Sequence, residues 1–210
     1  MKSLGKNLFS DFIKGIEAGI CVSLGGTVFL MTDNKIIGAL FFTVGLFAIC
    51  TMGLRLYTGR VCYVFENDGR YALSLLPIWL GNLCGTVLMA KAESFTRIGE
   101  TLAQKAAVLC QTKLDDSLLS IFLLAMGCDI LIFIAVDGFA NNPHEFGKYL
   151  ALFFGVCVFI LCSFEHCVAN MYYFTVASVW SGRTVLYLLV MTLGNSAGGV
   201  LLPLLRKAAG

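Results

Sequence analysis

Phe164-Glu165-His166-Cys167-Val168-Ala169-Asn170-Met171 sets an acid, an imidazole and a carboxamide inside an apolar stretch running from about 147 to 180. Such side chains are expensive in hydrocarbon, so those that persist there mark functional positions. At 1.5 Å per residue, a helix of about 30 residues would also overshoot a hydrocarbon core about 30 Å thick. The stretch therefore reads as a membrane span broken near its middle. A second overlong stretch, from about 36 to 65, carries Arg55, Thr58, Gly59 and Arg60 and reads the same way. Four further apolar stretches, 15–31, 71–92, 117–138 and 184–205, have ordinary span length.

The whole chain agrees with this local reading. Of 210 residues 58% are hydrophobic and 13% charged, and the mean hydropathy is +0.84. A soluble domain needs polar residues to cover its surface, so a water-soluble enzyme, a nucleic-acid binder and a disordered chain are excluded. Six spans use about 120 residues and fit the length. A net charge of +2, with no block of like charges, argues against a polyanionic partner. Eight of the nine cysteines lie in or beside apolar stretches, where a thiol behaves as a small hydrophobe; only Cys110 falls in a polar loop. Neither a disulfide framework nor a metal site or cofactor is expected.

Self-comparison adds an internal repeat. Leu80-Gly81-Asn82-x-x-Gly85-x-Val87-Leu88 recurs as Leu193-Gly194-Asn195-x-x-Gly198-x-Val200-Leu201, 113 residues on (82 to 195), and Thr58 and His166 stand 108 apart. The expected fold is thus an all-α membrane protein of six transmembrane helices in two three-span repeats, with spans 2 and 5 broken. Three is odd, so the second half is inserted upside down, the plan in which broken helices meet at the midplane around a solute site. The expected organisation is one transmembrane domain, 1–210. Within it lie an interfacial amphipathic helix over 1–14 (Leu4, Leu8, Phe9, Phe12 and Ile13 on one face, Lys2 and Lys6 elsewhere), a first half over 15–92, a connecting loop over 93–116 and a second half over 117–205. Asp11, Lys14 and Glu17 and the lack of an A-x-A-like site argue against a cleaved signal peptide. With the N-terminus inside, seven Lys and Arg face inward and six outward; setting aside the 91–113 connection leaves seven against two, which places both termini in the cytoplasm.

The chemistry-bearing residues are His166 with Glu165 and Asn170 in the second break, and Thr58, Gly59, Arg55 and Arg60 in the first. His166 offers proton exchange near neutral pH. Thr58 offers a hydroxyl to an anion and Gly59 lets the chain reverse. Arg55 and Arg60 add positive potential or pair with Glu165, Asp129 or lipid headgroups.

These motifs, Leu56-Tyr57-Thr58-Gly59, the Phe164-to-Met171 string and the two Gly-Asn pairs, resemble the formate/nitrite transporter family over nearly the whole chain. The resemblance implies an aquaporin-like fold in a homopentamer with one pore per subunit, in a bacterial inner membrane, with Thr58 facing His166 across the pore. It implies a pore lysine at Lys113, counted back 16 residues from Asp129, and Asn170 one turn after the histidine. Apolar constrictions are implied at Phe42, Leu46, Leu56, Tyr57, Ile132 and Phe159. Arg55 stands where the family usually has an acid, and Arg60 and Asp129 where it often has Asn; an Arg55 to Asp129 exchange of charge would keep the site neutral.

A small carboxylate with a pKa of about 3.3 to 3.7 arrives as an anion at pH 7. One opposite charge at 4 Å returns about 4 kcal/mol at an effective dielectric of 20, so Lys113 is expected to concentrate anions, and Thr58 to replace part of their hydration. His166, with an unperturbed pKa of about 6.5, would then lend a proton or strong hydrogen bond for passage through the apolar ring. The expected function is a proton-coupled channel or transporter for small monovalent anions: formate, nitrite, hydrosulfide or short carboxylates. A neutral-solute channel of aquaporin-like fold and a membrane-embedded enzyme using His166 and Glu165 are the alternatives; the first is opposed by Lys113, Arg55 and Arg60, the second by the lack of a second catalytic group.

Overall fold

The computed structural model describes residues 2–210 and the side chains of Gly5 and of Asn7 onward. It is helical: α1 (Lys2–Met31), α2 (Lys35–Phe42), α3 (Val44–Thr51), α4 (Tyr57–Val61), a 3-10 turn (Val64–Glu66), α5 (Gly69–Ser94), α6 (Gly99–Leu114), α7 (Leu118–Asn141), α8 (Glu145–Leu161), α9 (Cys167–Val176) and α10 (Gly182–Ala209). Four helical stretches, Asn7–Met31, Gly69–Ser94, Leu118–Asn141 and Gly182–Ala209, are long and apolar enough to cross a membrane. Large apolar side chains point outward, among them Ile36, Leu76, Leu119 and Leu193, each more than 60% exposed. Lipid tolerates such a surface and water does not.

Both overlong stretches are broken, a little earlier in the chain than their polar residues suggested. α3 ends at a C-cap on Met52; Gly53 takes a positive φ of 67°, and Leu54 N–H closes the turn on Ile49 O at 2.9 Å. α8 ends in the same way, with Cys162 at the cap, Ser163 at φ 56° and Phe164 N–H on Phe159 O at 2.9 Å. This is the Schellman ending. Gly53, and not Gly59, reverses the chain; Gly59 is helical within α4, where an added Cβ would meet Val136 at 3.3 Å.

The asparagines of the two Gly-Asn segments make matching sets of hydrogen bonds. Asn82 Oδ1 accepts Tyr57 N–H at 2.9 Å, and its Nδ2 donates to Gly15 O and Arg55 O, both at 2.9 Å. Asn195 Oδ1 accepts Cys167 N–H, and its Nδ2 donates to Ala125 O and Glu165 O, all at 2.8 Å. The partners differ by a constant offset: 15 to 125, 55 to 165 and 57 to 167 are each 110. Each amide satisfies backbone groups that the broken helix releases, which is why Asn recurs there. Beside each Asn a glycine allows close helix approach: a Cβ on Gly85 would strike Ile16 O, and one on Gly198 would strike Met126 O. α1 accordingly lies along α5, and α7 along α10.

Of the expected interfacial helix over 1–14, the described residues 2–14 do not form a helix of their own. α1 continues unbroken to Met31, because Gly15 is a contact with α5 (a Cβ there would sit 2.9 Å from Ile78 O) and not a hinge. Leu4 of the expected apolar face, and Lys2 and Lys6 opposite it, lie outside the described side chains. The 93–116 segment is also not a loop. Leu102, Ala106 and Cys110, four residues apart, are fully buried on one stripe of α6, too narrow a signal to stand out from the polar residues around it. Cys110 is therefore a core residue. Glu93 closes the end of α5, buried, with Thr27 and Tyr172 hydroxyls donating to its two carboxylate oxygens at 2.5 Å. Lys105 pairs with Asp33 at 2.7 Å, tying α6 to the α1–α2 turn and holding the exposed Asp33 carboxyl below its ordinary range.

Candidate functional site

α4 and α9, the short helices after the two breaks, bring Thr58 and His166 together. Thr58 Oγ1 lies 3.0 Å from His166 Nε2, with Thr58 fully buried and His166 4% exposed. His166 is also the N-cap of α9, its Nδ1 accepting Ala169 N–H at 3.1 Å. A ring nitrogen that accepts a backbone N–H carries no proton, so the imidazole proton sits on Nε2 and points at Thr58. The cap thus selects the tautomer, and the Thr58 hydroxyl is left free to donate its own hydrogen.

Glu165, Lys113 and Asn170 form one buried network beside this pair. Lys113 Nζ, from the last turn of α6, donates to Glu165 Oε2 at 2.6 Å, with the two side chains 11% and 4% exposed. Asn170 Nδ2 donates to the same oxygen and to His166 O, both at 2.9 Å. Lys113 is therefore not the bare cation expected from sequence, since its charge is already met by Glu165. Removing one partner of a buried pair leaves the other uncompensated, typically a loss of about 3–5 kcal/mol. Lys113→Met is expected to lower thermal stability by that order in detergent. Lys113→Met with Glu165→Gln should recover most of it, and equal melting of wild type and the single variant would contradict the pairing.

Arg55 is also paired differently from expectation. Arg55 Nε donates to Asp11 Oδ1 on α1 at 3.1 Å, so the exchange of charge with Asp129 does not occur. Among the described residues Asp129 has no hydrogen-bond partner; it is fully buried against Gly199 of α10. At the matching place in the first half, Gly19 faces Thr86, so bulk has moved from one helix to the other (19 to 129 is 110, 86 to 199 is 113).

Two cavities that share no lining residue meet this site. One, of about 50 Å³, is lined by Lys113, Phe159, His166, Asn170 and Tyr173 among others. Phe159 stacks on the His166 ring (centroids 5.8 Å apart, planes at 18°) and Phe42 packs edge-on against Phe159 at 6.0 Å. The other, of about 550 Å³, is lined by Leu46, Leu56, Gly59, Arg55 and Arg60 among others. His166 lines the smaller cavity; Thr58 lines neither, and its chain neighbours Leu56 and Gly59 line the larger one. Of the six expected constriction residues, Phe159 lines the smaller cavity and Leu46 and Leu56 the larger, while Phe42 lines neither and backs Phe159. Tyr57 also lines neither, because its hydroxyl is held by Ser196 Oγ of α10 at 2.9 Å; Ile132 is buried on α7 and lines neither cavity. Tyr173 was missed. Its hydroxyl is buried without a partner in the smaller cavity, as is Asn170 Oδ1; two aromatic residues in a row within an apolar helix gave no polar signal.

The formate/nitrite transporter family profile matches residues 1–208. The chain belongs to the formate/nitrite transporter family. That makes it an integral membrane transporter or channel and not an enzyme. Among relatives of this formate/nitrite transporter, the formate channel FocA of Haemophilus influenzae is 24% identical, the match covering 93% of this chain and 84% of the relative. A probable formate transporter of Methanothermobacter thermautotrophicus is 27% identical over 94% and 86% of the two chains. A solved pentameric formate channel with formate bound shares the fold, with a TM-score of 0.83 over 97% of each chain at 22% identity. A solved ion channel of the same family gives 0.80 at 22% identity, over 97% of this chain and 89% of the other.

Proposed function

We propose that this formate/nitrite transporter conducts small monovalent weak-acid anions, formate and nitrite foremost, with a proton supplied through His166. The observation that carries the reading is the buried Thr58–His166 hydrogen bond between the two broken segments, with His166 on the smaller cavity and Leu56 and Gly59, beside Thr58, on the larger. The molecule would cross a bacterial inner membrane six times, as two inverted three-span halves with both termini in the cytoplasm, and assemble as a homopentamer like the solved formate channel. The constant 110-residue offset of the two break networks supports the repeat, and the outward apolar side chains supply surface for lipid and for neighbouring subunits.

An anion entering the smaller cavity would share Lys113 with Glu165, so that the pair opens toward the guest without leaving either charge bare. Asn170 would hold Glu165 in place, and the free hydroxyls of Tyr173 and Thr58 would replace part of the lost hydration. At the Phe42 and Phe159 constriction the anion would displace the Thr58 oxygen and take the hydrogen bond of His166 Nε2–H; transfer of that proton requires Nδ1 to release Ala169 N–H and take up a proton from the acidic side, so that the ring stays neutral. Leu46 and Leu56 would form the second apolar ring. Bare charge in such a passage is costly, and lending it a proton removes that cost.

Uptake into proteoliposomes across formate, nitrite, hydrosulfide, acetate and lactate tests the reading. Flux of formate and nitrite that rises as the external pH falls is expected. Passage of a neutral solute such as glycerol with no anion flux would overturn it.

A further inference from the structure

The larger cavity holds a cation that forms no ion pair among the described residues. Its charged lining residues are Arg55 and Arg60, and no acid lines it. Arg55 is paired with Asp11, just as Glu165, 110 residues later, is paired with Lys113. Each break thus carries one matched ion pair. Arg60 has no such match: 110 residues on stands the neutral Asn170. Among the described residues it makes no ion pair, and its Nε is buried without a hydrogen-bond partner. Its guanidinium lies 4.8 Å from the centroid of the Tyr71 ring, whose hydroxyl turns back to Arg60 O at 2.7 Å. Asp11 and Asp68 line a neighbouring cavity that Arg60 also borders, but neither closes on it within bonding distance.

We propose that this cavity is a second anion site, in which the Arg60 guanidinium holds a planar two-oxygen anion ahead of the Leu46 and Leu56 ring. The guanidinium fork matches the two oxygens of formate or nitrite and offers a spherical or one-atom anion such as hydrosulfide only its charge. The Tyr71 ring holds the guanidinium at one side of the cavity, and a volume of about 550 Å³ leaves ample room for the guest. The site makes entry from the Arg60 side saturable at lower concentration than entry from the Lys113 side, where the cation is already engaged. This inference rests on the anion conduction proposed above.

Planar bilayers containing the full chain, with anion added to one side at a time, test it. Arg60→Gln is expected to raise the half-saturating concentration of formate and nitrite from the Arg60 side about tenfold, the size of one charge-assisted hydrogen bond. Entry from the other side, and hydrosulfide from either, should change far less. Arg60→Lys, which keeps the charge and loses the fork, should fall between. An equal change from both sides, or none, would overturn the site. So would loss of the effect in bilayers without anionic lipid, which would assign the guanidinium to a headgroup. Independently of any variant or flux, nitrite should protect Arg60 of the wild-type protein from phenylglyoxal, read by mass spectrometry. Unprotected modification overturns the site, whereas protection in a chain that conducts no anion would uphold it and refute the conduction.

Discussion

An Asn195→Ala variant is expected to lose a large part of the stability of the folded protein. The side-chain amide meets three backbone groups, Cys167 N–H, Ala125 O and Glu165 O. Ala125 lies inside α7, whose own ladder continues to use its carbonyl. The other two have no such reserve: Cys167 N–H belongs to the first turn of α9, where no intrahelical acceptor exists, and Glu165 O lies in the break. Asn195 is fully buried, so water is not at hand to replace it. Two orphaned groups at about 1–3 kcal/mol each give a loss of about 2–6 kcal/mol, large beside a typical net stability of 5–15. Asn195→Asp should fare no better, since a carboxylate would face two carbonyl oxygens. Thermal unfolding in detergent and the yield of monodisperse protein read this out. A midpoint within a degree or two of wild type would refute the account. Asn82→Ala, with the same three bonds in the first half, should behave alike.

His166→Asn should separate folding from transport. Asparagine is a favoured N-cap, and its Oδ1 can take over the bond from Ala169 N–H. The start of α9 is then kept, while Nε2–H, the group facing Thr58, is lost. A charge-assisted hydrogen bond contributes about 1.5–3 kcal/mol, so formate flux should fall about tenfold to a hundredfold and lose its rise at low external pH, with melting little changed. His166→Leu removes both functions and should also lose about 1 kcal/mol of stability from the missing cap. Full pH-dependent flux through the Asn variant would exclude His166 as the proton donor.

Composition, the two overlong apolar stretches and the Phe164-to-Met171 string determine a membrane protein with two broken helices. Polar residues in hydrocarbon have few reasons to exist, so each such signal is strong even when read alone. The Gly-Asn pairs likewise announced a repeat, because the close approach and the released backbone groups demand those residue types wherever they occur. The partners were another matter. Arg55 finds Asp11 44 residues away, and Lys113 finds Glu165 at a separation of 52. Which acid meets which base depends on how helices cross, not on spacing along the chain. The same holds for Tyr57, turned toward Ser196 by α10, and for α6, whose three-residue stripe acquires meaning only when α9 and α1 lie against it. Local chemistry is legible residue by residue, whereas the unpaired state of Arg60, like that of Asp129, becomes visible only once the neighbouring pairs have been closed in three dimensions.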